Sequence, residues 1–217
     1  MRGCLYTALG DSLTNGFLAY MSTGFSYRLC HYLRREYGST EFYNFGVPGL
    51  KSQGLLKQLK TQEKVRYYIK RADLVTISIG GNNLLRCAHD NYCHINTEKA
   101  QEGTNNFVRD WPLILHCIRD ELASDADIFV MTLYNPYPVK DKNYDTAEHY
   151  IQIINSAICD EALIKNYEYR VVDIYSTFKN LCPPKLTHFD LAIRDPHPTY
   201  EGHHIIAKEF MRCISGN

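Results

Sequence analysis

The stretch Cys4-Leu5-Tyr6-Thr7-Ala8-Leu9-Gly10-Asp11-Ser12-Leu13-Thr14-Asn15-Gly16 changes character halfway along. Residues 4–9 are a short apolar run of the kind a buried strand uses. Gly10 lets the backbone turn sharply, and Asp11, Ser12 and Thr14 carry side chains that cap or stabilise turns. A strand followed by such a turn marks the carboxyl edge of an open α/β sheet, where ligands bind. A serine placed there stands clear of the sheet and is free to act as a nucleophile. The plain alternative is a helix N-cap, a position for which Asp and Ser are equally suited.

Four more segments repeat the strand pattern, and helical periodicity separates them. Strands are expected at 41–45, 73–79, 127–133 and 169–174, the second of these being the most β-branched and apolar. Helices are expected at 25–37, 52–71, 98–122, 146–167 and 200–213, with Trp111-Pro112 restarting the third. Strands alternating with helices predict a parallel sheet covered on both faces. The expected fold is α/β, a three-layer α/β/α sandwich with a five-stranded parallel sheet of flavodoxin-like type. No repeat, low-complexity tract or linker interrupts it, so residues 1–217 are expected to form a single domain.

Composition narrows the partners. The chain has 217 residues, 45% hydrophobic and 22% charged, as soluble globular proteins do. Lys+Arg and Asp+Glu number 24 each, so no net field draws the chain to nucleic acid or anionic lipid. No apolar run approaches a membrane span and no export signal precedes the first strand. A cytoplasmic location, no stable membrane insertion and free thiols are therefore expected. Cys4, Cys30, Cys117, Cys159 and Cys213 fall in apolar settings and are expected in the core. The cluster from Cys87 through His89 and Cys93 to His94 has side chains suited to zinc but no standard spacing. A solvated loop is expected there, with a Cys87–Cys93 disulfide on oxidation and no metal.

The ends of the expected strands carry the chemistry. Ser12 follows the first, 44–49 the second, Gly80-Gly81-Asn82-Asn83 the third and 134–138 the fourth. Arg194-Asp195-Pro196-His197-Pro198 precedes the last helix. Acyl transfer at neutral pH needs a nucleophile, a base and donors aimed at the oxyanion. Ser12 suits the first role and His197 the second, with Asp195 holding the imidazole. The amides of Ser12 and Gly49 and the side chain of Asn82 suit the third. Asn82 also suits a helix N-cap. Aromatic and apolar residues beside the nucleophile (Phe17, Leu18, Tyr20, Met21, Phe25) and at 134–144 are candidates to wall a substrate pocket.

On these blocks the chain resembles the SGNH, or GDSL-type, esterase and lipase family. Gly10-Asp11-Ser12-Leu13, Gly49, Gly81-Asn82 and His197 fall in that family's order and span nearly the whole chain. The resemblance implies a cofactor-independent hydrolase of carboxylic esters, with Ser12 as nucleophile, Gly49 and Asn82 completing the oxyanion hole and His197 as base. Residues 7–16, 73–85 and 134–138 look most like the bacterial spore germination lipases, implying lipid or phospholipid-type esters and a spore compartment as the alternative location. Two positions depart from the family pattern. Asn83 stands where the family has aspartate, which implies altered hydrogen bonding. Arg194 stands where the family places its aspartate, three residues before the histidine. Asp195, Asp190 or a backbone carbonyl is then left to orient His197; Pro196 stiffens the loop in favour of Asp195. Three rivals remain: a carbohydrate O-acetylesterase on the same site, a decayed binding module, and a flavodoxin-like mononucleotide binder, which lacks a phosphate loop.

Overall fold

The computed structural model of the chain describes residues 3–17, 24–181, 186–190 and 195–216. Five strands, β1 (Cys4–Gly10), β2 (Thr40–Asn44), β3 (Leu74–Ser78), and further on β6 (Asp127–Met131) and β7 (Tyr169–Val172), form one sheet in the order β2-β1-β3-β6-β7. Every pairing in it is parallel, with registers such as Gly10 beside Ser78 and Met131 beside Val172. A two-stranded hairpin, β4 (Ala88–His89) and β5 (His94–Ile95), lies outside this sheet. The helices are α1 (Ser12–Asn15), α2 (Phe25–Tyr37), α3 (Ser52–Thr61), α4 (Glu63–Arg71), α5 (Gly81–Leu85), α6 (Thr97–His116), α7 (Tyr144–Ile158), α8 (Glu161–Tyr167), α9 (Ile174–Asn180) and α10 (Tyr200–Ser215).

The strands feed two cores because side chains alternate across a sheet. Leu9, Val75, Ile77, Ile128 and Val130 face the layer built mainly from α3, α4, α6 and α7. Tyr6, Ala8, Leu74, Phe129 and Met131 face the layer of α2 and α10. Burial on both faces explains why these strands read as unbroken apolar runs. The result is the expected three-layer sandwich. Since all five strands run the same way, residues 10, 44, 78, 131 and 172 end on one edge.

Three expected helices differ in detail. Residues 52–71 form two helices that meet at Gln62. Leu55 and Leu59, then Val65 and Ile69, all reach the core. The step from Leu59 to Val65 would turn a continuous helix by about 600°, putting the second pair out of phase. The break restores it, and Arg66 Nη1 donates to the Leu59 carbonyl at 2.7 Å. Residues 146–167 likewise split at Asp160, whose carboxylate caps α8 by accepting from Leu163 N at 2.9 Å. Pro112, by contrast, does not restart its helix: α6 runs through it and continues as a π turn at Cys117–Glu121. Pro112 has no N–H to donate to the Val108 carbonyl, and it lies on a turn of α6 whose Val108 is 42% exposed.

The cysteines follow the expectation only in part. Cys30 and Cys117 are buried, Cys4 and Cys213 half-buried, and Cys159 is exposed. Cys87 and Cys93 are both free thiols. Their segment carries the short β4–β5 hairpin, with Asp90, Asn91 and His94 exposed as expected of a solvated loop, while Cys87 itself packs with Ala100 and Tyr150. Among the described residues, no group of three His, Cys, Asp or Glu is placed to hold a metal.

Candidate active site

Gly10 makes the turn out of β1 possible. Its φ is +140°, and a Cβ there would lie 2.0 Å from the Ser78 carbonyl oxygen. Asp11 then caps α1, its Oδ1 accepting from Leu13 N at 3.1 Å. Ser12 is the first helical residue, so its amide has no intrahelical acceptor. Its side chain sits in a pocket at the carboxyl edge of the sheet and is 4% exposed.

From the far end of the chain His197 meets it. His197 Nε2 lies 2.8 Å from Ser12 Oγ, across 185 residues of sequence. His197 Nδ1 lies 2.7 Å from Asp195 Oδ1, and the same oxygen accepts the backbone N–H of His197 at 2.8 Å. That second bond closes an Asx-type turn, which fixes the carboxylate against the ring. Position 194 and the side chain of Asp190 lie outside the described residues. The histidine loop is held on two further sides. Tyr134, three residues past β6, donates its hydroxyl to the Pro196 carbonyl at 2.7 Å. Residues 187 and 198 form an antiparallel bridge, and His188 N donates to the His197 carbonyl at 2.9 Å.

The oxyanion candidates come from two other strand ends. Asn82 lies in α5, where Gly80 occupies the cap position, so it is not the N-cap considered above. Its Nδ2 donates to Asp11 Oδ2 at 3.2 Å. That bond uses one of the two hydrogens of the Asn82 amide. Asp11 is 2% exposed, and burial pushes its carboxyl up to about 7 against the bonds from Leu13, Ser78 and Asn82. Gly49 sits in the turn after β2 at φ +78°. Val47 N donates to the Gly10 carbonyl at 3.0 Å, which ties this turn to the end of β1.

Asn83 accounts for its own departure from aspartate. Its Oδ1 accepts from Ser52 N at 3.0 Å, while its Nδ2 donates to Ser52 Oγ at 2.9 Å and to the Gly103 carbonyl at 3.1 Å. A carboxamide accepts and donates at once, whereas an ionised carboxylate only accepts. The bonds join α5 to the start of α3, just after Gly49, and to α6. The close approach of α5 and α6 here needs glycine at 103, since a Cβ there would lie 2.0 Å from the Asn83 backbone carbonyl oxygen.

The remaining walls of the pocket are apolar: Leu13, Leu84, Leu85, Leu133, Pro136 and Ile151 surround the serine and histidine. Phe17 lies with its ring centre 5.3 Å from that of His197, and Phe25 instead stacks on Phe210 in the core. Leu18, Tyr20 and Met21 are outside the described residues. Three contributions were not visible in the sequence: Asp11 as the anchor of Asn82, Tyr134 as the clamp on Pro196, and His203. The last is buried in α10 and accepts the Phe25 N–H through Nδ1 at 3.3 Å. Asp11 and residues 134–138 stood out as a turn and a strand end, but the partners they hold did not, and nothing local signalled His203.

A serine, an imidazole and a carboxylate in hydrogen-bonded series, at the carboxyl edge of a parallel α/β sheet, define the arrangement used by serine hydrolases. The GDSL-like lipase/acylhydrolase family matches residues 8–205, and the chain belongs to that family. The spore germination lipase LipC of Bacillus licheniformis is 27% identical over 180 residues, covering 80% of this chain and 81% of its own. Among solved structures, the lipase Lip_vut3 from a goat rumen metagenome superposes with a TM-score of 0.77 at 23% identity, covering 96% of each chain. Axe2, an acetylxylan esterase of Geobacillus stearothermophilus, superposes with a TM-score of 0.67 at 22% identity, over 97% of this chain and 94% of its own. These superpositions show the three-layer fold. Among the described residues no helix is long and apolar enough to cross a membrane.

Proposed function

We propose that the chain, as one hydrolase unit, cleaves carboxylic esters of lipid type through an acyl-enzyme on Ser12. The observation that carries this is the pair of contacts at His197, 2.8 Å to Ser12 Oγ and 2.7 Å to Asp195 Oδ1. With a proton on Nδ1 donated to Asp195, Nε2 is left bare and accepts the Ser12 hydroxyl proton. Ser12 Oγ then bonds to the carbonyl carbon, and the carbonyl electron pair moves onto its oxygen. The Ser12 and Gly49 amides and the second Asn82 amide hydrogen supply the donors for that oxyanion. As the carbonyl re-forms, the carbon–alkoxide bond breaks and the alcohol leaves with the proton from Nε2. Water repeats the sequence on the acyl-enzyme, giving its proton to Nε2 and releasing the acid.

The apolar pocket beside Ser12 favours a lipid-type acyl group, in keeping with the name LipC carries. The fold it shares with Axe2 keeps a carbohydrate acetylester as the second substrate class. No step requires a cofactor or metal. Labelling with a fluorophosphonate tests the mechanism. Attachment at Ser12 that is absent in Ser12→Ala is expected; an unlabelled Ser12 in folded protein would overturn the acyl-enzyme and favour a decayed binding module.

A further inference from the structure

The pocket at Ser12 abuts a second cavity. Leu84, Leu85, Pro136 and Ile151 line both. Beyond them the second cavity lies among the β4–β5 hairpin, α6 and α7, and no charged side chain lines it. Its two tyrosine hydroxyls are already engaged, Tyr137 with the Tyr92 carbonyl at 3.2 Å and Tyr150 with the Thr97 carbonyl at 3.1 Å. A space with no free polar partner binds neither sugar nor water well. It exists because three elements each present an alanine, Ala88 from β4, Ala100 from α6 and Ala147 from α7.

We propose that these two cavities form one acyl site. A straight acyl chain with its carbonyl at Ser12 passes between Leu84, Leu85, Pro136 and Ile151, and its tail fills the alanine-lined space. The acyl group of the ester therefore sets chain-length preference, and acetate esters leave the inner cavity empty. The proposal rests on Ser12 being the nucleophile, so its test includes an arm that needs no turnover. Each methylene moved from water into such a site is worth roughly fourfold in affinity.

For the wild-type chain, kcat/KM on p-nitrophenyl esters is expected to rise from acetate through butyrate to octanoate. Ala147→Leu and Ala100→Leu should leave acetate turnover unchanged while lowering the octanoate-to-acetate ratio about tenfold or more. Ala88→Leu, on the hairpin, provides the same test if either helix variant fails to fold. Unchanged ratios in folded variants would overturn the proposal. In the second arm, Ser12→Ala is titrated with sodium octanoate and sodium acetate by calorimetry. Octanoate binding that Ala147→Leu abolishes supports the acyl site even if Ser12 proves not to be a nucleophile. Absence of octanoate binding to Ser12→Ala overturns the site and leaves the hydrolase mechanism standing.

Discussion

Asp195 reaches the imidazole from two positions before it, not three, and the geometry explains how. A carboxylate at that spacing folds back over its own turn. One oxygen, Oδ1, then receives both the backbone N–H of His197 and its ring Nδ1. A carboxylate thus lies against the ring although Arg194 stands at the position three before the histidine. Asp195→Asn keeps an acceptor for the backbone N–H but removes the negative charge that stabilises the imidazolium. Its kcat is expected to fall on the order of a thousandfold or more with little change in KM, whereas Asp190→Asn stays close to wild type. Equal, small losses in steady-state assays would assign ring orientation to another group.

At the level of elements, α5 does more than present Asn82. Asn83 beside it braces α3 and α6, and the brace depends on donating from Nδ2 to Ser52 Oγ and the Gly103 carbonyl. Asn83→Asp restores the residue usual in the family yet places a carboxylate oxygen against a carbonyl oxygen. A loss of about 2 kcal/mol is expected from the unpaired buried acceptors, seen as a lower urea midpoint at unchanged slope. A midpoint equal to wild type would show that α5 is held by its apolar packing alone. The elements themselves were legible where a local signal marks their ends. Phe25–Tyr37 stops at Gly38 as expected. The break at Gln62 has no such signal, because it answers the phase of Leu55, Leu59, Val65 and Ile69 against the core. Pro112 carries a local breaker signal, yet α6 runs through it, because proline removes one helix hydrogen bond and the packing of Phe107, Trp111, Ile114 and Leu115 holds the rest.

Across the whole molecule, His203 ties the two ends of the site together. It stands in α10, just beyond the His197 loop, and receives the first amide of α2, which follows the nucleophile segment. Burial, with the charges of His197, Arg28 and His188, lowers its imidazole to about 3 from the ordinary 6.5. The unfolded chain takes up a proton there as pH falls below about 6.5, while the folded chain resists until about 3. Its contribution is thus complete above 6.5 and is lost progressively down to 3. Asp11 works in the opposite sense: its carboxyl is raised, so its contribution declines as pH climbs from about 4 to about 7. His203→Asn keeps an acceptor for Phe25 and removes the titration. Its melting temperature is expected to fall less steeply than the wild type's between pH 6.5 and 3.5. Since Asp11 is common to both proteins, the difference between the two curves isolates His203. Parallel curves in thermal scans would exclude the effect.

The sequence by itself determined the layering, the parallel sheet and the pairing of Ser12 with His197. Apolar runs and turn residues are local, and parallel strands bring all their carboxyl ends to one edge whatever their separation in the chain. Tertiary structure decided that Asp195 lies against the His197 ring, that Asp11 holds Asn82, and that an alanine-lined cavity adjoins the pocket at the serine. Each of these depends on distances between side chains from different elements, which periodicity along one element does not encode.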